Sequence, residues 1–146
     1  MGKSFAMRRD FVALFVLLAV SAQPAVADPL ADFAAAERIA DVPRFEATIA
    51  ALRRLGHLPD GLFATKSAAE ARGWRPGQDL CATLPGESIG GDRFDNRERL
   101  LPPDRVYHEA DLDYHCGPRA ATRLVYDAAG HQWVTIDHYR SFQAVP

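Results

Sequence analysis

Apolar residues between positions 43 and 55 recur with the spacing of an α-helix. The residues that share one helical face are Phe45, Ile49, Leu52 and Leu55. Pro43 stands where helices commonly begin, and Gly56 stands where they commonly end. The pattern therefore predicts one amphipathic helix over this segment, with its apolar face turned toward a core.

Two shorter helices are predicted to follow it. Thr65 is a suitable N-cap for a helix over residues 66–72, and Gly73 would end that helix. Asp79 is a suitable N-cap for another short helix, which would reach Leu84. Helices are thus expected to fill the first half of the folded chain.

The pattern changes to alternation beyond residue 105. Apolar and polar positions roughly alternate over residues 106–112, and further strand candidates lie at 123–126 and 132–136. Residues 127–130 have the composition of a turn. Helices followed by strands predict an α+β fold, with N-terminal helices packed on a C-terminal antiparallel β-sheet.

Residues 1–27 have the pattern of a secretory signal peptide. A basic start precedes an apolar run over 11–20, and Ala25-Val26-Ala27 carries small residues at the positions that a signal peptidase recognises. This run is shorter than the roughly 20 residues that a helix needs to span a bilayer. The alternative to a signal peptide is a buried N-terminal helix. Cleavage would give a secreted protein, extracellular or periplasmic, without membrane contact. The expected parts are a signal peptide at 1–27, a lead-in at 28–42 that is either flexible or a short helix, and a domain at 43–146.

The charge of the chain limits how it can bind nucleic acid. The 146-residue sequence has a formal net charge of −2. Removal of residues 1–27, which hold three basic residues and one acidic residue, lowers it to −4. Domains that bind nucleic acid are usually basic. An RNA site on this protein must therefore be a local cationic patch.

The sequence contains two cysteines, Cys81 and Cys116. In an exported protein an isolated pair predicts one disulfide. Its loop of about 35 residues would stabilise the fold by roughly 3–4 kcal/mol in the chain-entropy model. The wide spacing without a nearby CxxC fits a zinc site poorly. A catalytic thiol is the remaining alternative, which an oxidising compartment disfavours.

The strand candidates carry the side chains that RNA cleavage needs. Glu109 lies in the first, Arg119 and Arg123 flank the start of the second, and His138 and Tyr139 follow the third. On a twisted antiparallel sheet these side chains can converge on one face. A carboxylate can then remove a 2′-hydroxyl proton, an imidazolium can protonate the departing 5′ oxygen, and guanidinium groups can stabilise phosphoryl charge. Solvent-exposed side chains without a catalytic role are the simpler alternative.

Five separated motifs occur in an order shared with one known family. They are Leu58-Pro59-Asp60 with Ala64-Thr65-Lys66-Ser67 and Gly73-Trp74; PGESIGGDRFDNRE at 85–98; EADLDY at 109–114; Gly-x-Arg-x-x-x-Arg at 117–123; and DHYRSF at 137–142. On these motifs the chain from about Phe45 to Phe142 resembles the barnase and binase family of secreted, guanyl-preferring microbial ribonucleases.

The resemblance implies a metal-independent endoribonuclease without a cofactor. Glu109 would be the general base in transesterification and His138 the general acid. The two would exchange roles when the 2′,3′-cyclic phosphate is hydrolysed to a 3′-phosphate. The residues that would hold or contact the phosphate are Lys66, Arg119, Arg123 and Tyr139.

The resemblance also assigns guanine binding to one loop, which comprises Phe94, Asp95, Asn96, Arg97 and Glu98. Backbone groups around Asn96 and Arg97 would bind the O6 edge, and the Glu98 carboxylate would accept from the N1 and N2 hydrogens. An ion pair with Glu98 is the simpler interpretation of Arg97. Two departures from the family pattern lie nearby: Asp95 replaces a frequent serine, and Pro118 replaces an aromatic residue.

Several other side chains are interpreted as structural. Asp111 lies two residues from Glu109, on the same strand face, where it can hold a neighbouring arginine. Strand alternation would turn His108 to the opposite face. Trp74 and Trp133 are interpreted as packing residues rather than base-stacking platforms.

The partners implied by the resemblance are single-stranded RNA as substrate and an acidic inhibitor of the barstar type. The mature protein is expected to be a monomer. One alternative is a non-catalytic guanine-nucleotide or RNA-binding module on the same fold. The other is an interbacterial ribonuclease toxin, which would differ in its target rather than in its chemistry.

Overall fold

The computed structural model describes residues 1–2 and 27–146. The signal peptide lies almost wholly outside these residues and stays a prediction. The helices are α1 (Pro29–Ala36), α2 (Val42–Leu55) and α3 (Lys66–Ala71), and the strands are β1 (Phe63–Ala64), β2 (Ser88–Phe94), β3 (Tyr107–Asp111), β4 (Arg123–Asp127), β5 (Gln132–Thr135) and β6 (Gln143–Ala144). Helices come first and most of the sheet follows, which confirms the α+β architecture. No helix in the described residues is long and apolar enough to cross a membrane.

The six strands form one sheet in which each strand lies beside its neighbours in sequence. β1 runs parallel to β2, and the other pairs are antiparallel. The register places Asp111 opposite Arg123, and Arg123 opposite Thr135. Because side chains alternate between the two faces of a strand, Glu109 shares this face with Asp111. One face of the sheet thus collects charged side chains.

The segment 28–42, for which the sequence allowed two interpretations, contains a helix that belongs to the core. Asp28 caps α1 by accepting hydrogen bonds from amides of its first turn. Ala34 is fully buried. The ring of Phe33 stacks on that of Phe45 in α2, with 6.0 Å between centroids. α1 therefore extends the packed unit toward the N-terminus.

The predicted amphipathic helix is confirmed as α2. Asp41 caps it by accepting a hydrogen bond from the amide of Arg44 at 3.1 Å. Gly56 ends it with a φ of 77°, which glycine adopts without strain. Its buried side chains pack on the face of the sheet opposite the charged one. The buried residues in this cluster include Phe45, Ile49 and Leu52 from α2, and Ala110, Leu124 and Val134 from the sheet.

The strand β2 was missed by the sequence analysis, and its glycines explain why. Gly90 and Gly91 lower the strand propensity of this segment. In the fold, however, a Cβ at Gly90 would lie 2.7 Å from Cδ1 of Phe63 and 2.9 Å from Cβ of Ala110. Glycine is thus needed there for the close packing of β1, β2 and β3.

The predicted disulfide between Cys81 and Cys116 is present, with 5.4 Å between the Cα atoms. Cys81 lies in the short 3-10 helix Leu80–Ala82, which begins after the predicted N-cap Asp79. Cys116 lies in the loop between β3 and β4. The bond ties the helical half of the chain to the sheet.

Replacing both cysteines by alanine should lower the free energy of unfolding by about 3 kcal/mol, because the unfolded chain then loses its cross-link. Urea denaturation followed by circular dichroism measures this change. The wild-type protein in a reducing agent is the matched control and should unfold at the same urea concentration as the double variant. An unchanged midpoint in both samples would contradict the prediction.

Candidate active site

The charged face of the sheet forms the floor of a pocket of about 370 Å³. Its walls come from the start of α3, from the end of β2 with the loop after it, and from the turn after β5. The lining residues are Lys66, Arg93, Phe94, Asp95, Asn96, Arg97, Glu98, Glu109, Arg119, Arg123, His138 and Tyr139. The structure therefore brings together all eleven residues that the sequence analysis named as catalytic or guanine-binding candidates.

Glu109 is the acidic group at the centre of the pocket floor. Its side chain is 11% exposed, and Oε1 lies 3.2 Å from Nζ of Lys66. Oε2 accepts a hydrogen bond from the hydroxyl of Tyr139. Lys66 is placed by the start of α3, where Thr65 is the N-cap, as predicted, and Asp92 accepts from the Lys66 amide at 3.0 Å. The carboxylate is thus fixed through both oxygens.

The turn after β5 presents His138 and Tyr139 to the pocket. Their φ angles are 58° and 72°, in a region that residues other than glycine seldom adopt. His138 is exposed, and its ring lies 4.9 Å from that of Tyr139. Burial raises the pKa of Tyr139 well above its usual value, and the hydrogen bond to Glu109 raises this pKa further. Tyr139 therefore stays a neutral hydrogen-bond donor at physiological pH.

Asp111 holds two arginines, where the sequence analysis expected it to hold one neighbouring arginine. Arg119 donates through Nε and Nη2 to the two carboxylate oxygens, at 2.6 and 2.7 Å. Nε of Arg123 lies 2.9 Å from Oδ1 of the same carboxylate. The hydrogen bonds to Asp111 raise the pKa of Arg119 above its usual value. Both guanidinium groups are thus held in the pocket by one carboxylate.

The loop after β2 is closed by Asn96. This residue is buried with a φ of 48°, and its side chain both donates to the carbonyl of Leu101 (2.8 Å) and accepts from the amide of Leu101 (3.1 Å). Arg97 pairs with Asp95, at 3.3 Å, rather than with Glu98. Among the ion pairs between described residues, none involves Glu98, which is exposed and lines the pocket.

An aromatic cluster joins this loop to the turn after β5. The rings of Phe94 and Tyr139 stack with 5.1 Å between centroids. The centroid of the Phe94 ring also lies 6.4 Å from that of Tyr107 and 5.9 Å from that of Phe142. The two walls of the pocket are therefore packed against each other rather than independent.

The pocket is cationic although the chain is acidic. Five of its lining residues are basic and three are acidic, as follows: Lys66, Arg93, Arg97, Arg119 and Arg123 against Asp95, Glu98 and Glu109. The chain as a whole carries a formal net charge of −2. The local patch that the sequence analysis required is therefore present. Arg93 was missed as a member, although its position directly before Phe94 in the longest motif was a usable signal.

Side chains interpreted as structural lie outside the pocket. Nδ1 of His108 is 3.1 Å from the carbonyl oxygen of Gly91, and its ring stacks on Tyr126 on the opposite face of the sheet. Trp74 is buried in the core, as predicted. Within the described residues, the acidic and sulfur groups close enough to hold a metal are Asp79, Cys81 and Cys116. The disulfide removes both thiolates from that set.

Comparison with known proteins identifies the family of this chain. A family model described as ribonuclease matches residues 60–146, which include every residue that lines the pocket. Ribonucleases of Bacillus intermedius and Bacillus pumilus are each 41% identical over 110 residues, which cover 73% of this chain and 67% of the relative. A ribonuclease of Heyndrickxia coagulans is 44% identical over 97 residues, which cover 64% of this chain and 88% of that relative. The chain therefore belongs to the barnase-like family of microbial ribonucleases and is an RNA-cleaving enzyme.

Proposed function

We propose that the protein is a secreted endoribonuclease that cleaves single-stranded RNA after guanosine without a metal ion. One observation carries the proposal: the fixed carboxylate of Glu109 and the exposed imidazole of His138 line the same pocket as the loop 94–98. A nucleotide whose base binds that loop can present its 2′-hydroxyl and its leaving oxygen to two different proton-transfer groups.

In the first step, the carboxylate of Glu109 takes the proton of the 2′-hydroxyl, and the 2′ oxygen attacks phosphorus. The bond from phosphorus to the 5′ oxygen of the next nucleotide breaks, and protonated His138 gives its proton to that oxygen. In the second step, His138 takes a proton from water as the water oxygen attacks phosphorus. The bond from phosphorus to the 2′ oxygen breaks, and Glu109 returns a proton to that oxygen. The 2′,3′-cyclic phosphate thus becomes a 3′-phosphate. Side chains move every proton, so the reaction needs no metal-bound water.

Three cations would stabilise the charge that builds on the phosphoryl oxygens. Arg119 and Arg123 are oriented by Asp111 before any substrate binds, which reduces the reorganisation needed in the transition state. Lys66 lies beside Glu109, the group that would take the 2′-hydroxyl proton.

Guanine preference is supported by the environment of Glu98. The ion pair between Asp95 and Arg97 leaves the Glu98 carboxylate open to accept hydrogen bonds from N1 and N2 of guanine. Adenine has no matching pair of donors. Binding adenine would therefore desolvate the carboxylate without replacing its hydrogen bonds.

Export and inhibition complete the proposal. The pattern over residues 1–27 favours secretion, and the disulfide is typical of an oxidising compartment. An acidic inhibitor of the barstar type would complement the charge of the cationic pocket. It would protect the cell's own RNA before the enzyme is exported.

Glu109→Gln and His138→Ala should each lower kcat by about 100- to 10,000-fold, because each removes one proton-transfer group. The substrate is an RNA oligonucleotide with a single internal guanosine, and mass spectrometry identifies the products. Wild-type protein should cut after the guanosine at the same rate with and without EDTA, with a 2′,3′-cyclic phosphate appearing first.

Glu70→Gln is the matched control, since Glu70 is an exposed residue of α3 outside the pocket. This variant should keep wild-type activity. A folded wild-type protein that binds guanine nucleotides but leaves RNA intact would contradict the proposal and favour the non-catalytic binding module.

Glu98→Gln should lower kcat/KM for cleavage after guanosine by about 100-fold, because one carboxylate oxygen is replaced by a donor that opposes the N1 and N2 hydrogens. Cleavage after adenosine should change less than about threefold. Paired oligonucleotides that differ only at the cleaved base measure both values. Asp104→Asn, at an exposed acidic residue of the following loop, is the control. Equal losses for both bases would mean that Glu98 contributes charge rather than base recognition.

A further inference from the structure

The turn after β5 is held by a hydrogen-bond network that the mechanism above does not use. Asp137 accepts four hydrogen bonds at its centre. The donors are Oγ1 of Thr135 (2.9 Å), the amides of Arg140 and Ser141 (3.0 Å each) and Oγ of Ser141 (2.6 Å). Oγ1 of Thr135 in turn accepts from the amide of Tyr139 at 2.9 Å. The network therefore begins in the sheet and encloses the turn.

The two residues inside this network have strained backbones. The positive φ angles of His138 and Tyr139 place two successive residues with Cβ atoms in the left-handed region. Such conformations persist only where surrounding contacts over-determine them, and they concentrate at functional sites. Here Asp137 precedes the pair and binds Ser141 beyond it, so its carboxylate bridges the strained segment.

Asp137 keeps its charge over the whole working range of pH. Its hydrogen bonds, above all that from the Ser141 hydroxyl, lower the pKa of the carboxyl to about 2. The side chain is not among those that line the pocket. Asp137 is therefore expected to affect RNA cleavage through its neighbours rather than by contact with RNA.

We infer that Asp137 is a positioning residue: by bridging the strained turn, it holds the imidazole of His138 over the pocket, where it can protonate the leaving oxygen. Thr135 extends the same restraint to the backbone of Tyr139. The inference rests on the acid role proposed for His138.

The nature of the leaving group separates this role from simple stabilisation. The 5′ oxygen of RNA leaves as a strongly basic alkoxide unless it receives a proton. A 4-nitrophenolate leaves without one. The attack by the 2′ oxygen is the same in both cases and depends on Glu109. A misplaced acid therefore slows only the first kind of substrate.

Asp137→Ala should lower kcat for guanylyl-(3′→5′)-uridine by about 10- to 100-fold, with KM changed less than about threefold. The same variant should lower kcat for guanosine 3′-(4-nitrophenyl phosphate) by less than about threefold. Asp137→Asn keeps one acceptor oxygen and should recover most of the loss. Thr135→Val should repeat the pattern of Asp137→Ala, and Thr135→Ser should restore activity.

The controls separate this inference from the proposed function. Asp60→Asn changes a fully solvated aspartate on the opposite side of the sheet and should leave both substrates unaffected. His138→Ala is the reference variant: if it lowers kcat equally for both substrates, the acid role proposed for His138 is wrong. If His138→Ala lowers kcat mainly for guanylyl-(3′→5′)-uridine, while Asp137→Ala lowers kcat equally for both substrates or for neither, the inference about Asp137 is overturned. Circular dichroism establishes folding of each variant, and Thr135→Val carries the comparison if Asp137→Ala does not fold.

Discussion

The buried carboxylate of Asp111 is the group on which the pocket depends. Its side chain is 3% exposed, and a carboxylate so far from water is stable only when it is paired and hydrogen-bonded. Here the partners are Arg119 and Arg123, which would otherwise repel each other in the floor of the pocket. A neutral residue in place of Asp111 would leave the nearly buried Arg123 without its counter-charge. Folding of the sheet and orientation of these two cations are therefore coupled through one carboxylate.

Strand β3 shows how one element serves both the core and the site. Glu109 lines the pocket and Asp111 lies on the same face beneath the two arginines, while Ala110 between them packs under the helices. A shift of one residue in register would move both carboxylates into the apolar core and Ala110 into the pocket. The close packing at Gly90 disfavours such a shift, because Gly90 pairs with Ala110 and even a Cβ at Gly90 would lie 2.9 Å from the Cβ of Ala110. The requirements of packing thus also place the chemistry.

The parts of the fold that local signals specify were predictable, and the parts that depend on distant contacts were not. α2 and the caps of α3 follow from apolar spacing and from residues such as Thr65, whose effect extends over a few positions. β2 was missed because the glycine that lets it pack closely against β1 and β3 also weakens its local strand pattern. Eleven of the twelve residues that line the pocket were named from the family resemblance of the motifs, and Arg93 was missed. The network of Asp137 was not predictable, because hydrogen bonds to amides and positive φ angles leave no periodic trace in the sequence.

Asp95 shows how an acidic chain keeps a cationic pocket despite its departure from the family pattern. Its carboxylate lies 3.5 Å from Arg93 and 3.3 Å from Arg97, so its charge is offset within the loop itself. Both pairs are largely exposed and contribute little to stability. Their effect is on the local potential, and neither of these two ion pairs involves Glu98. Screening limits the reach of other acidic residues to about 8–10 Å at physiological salt. The field that RNA meets is therefore set by the lining of the pocket rather than by the net charge of the chain.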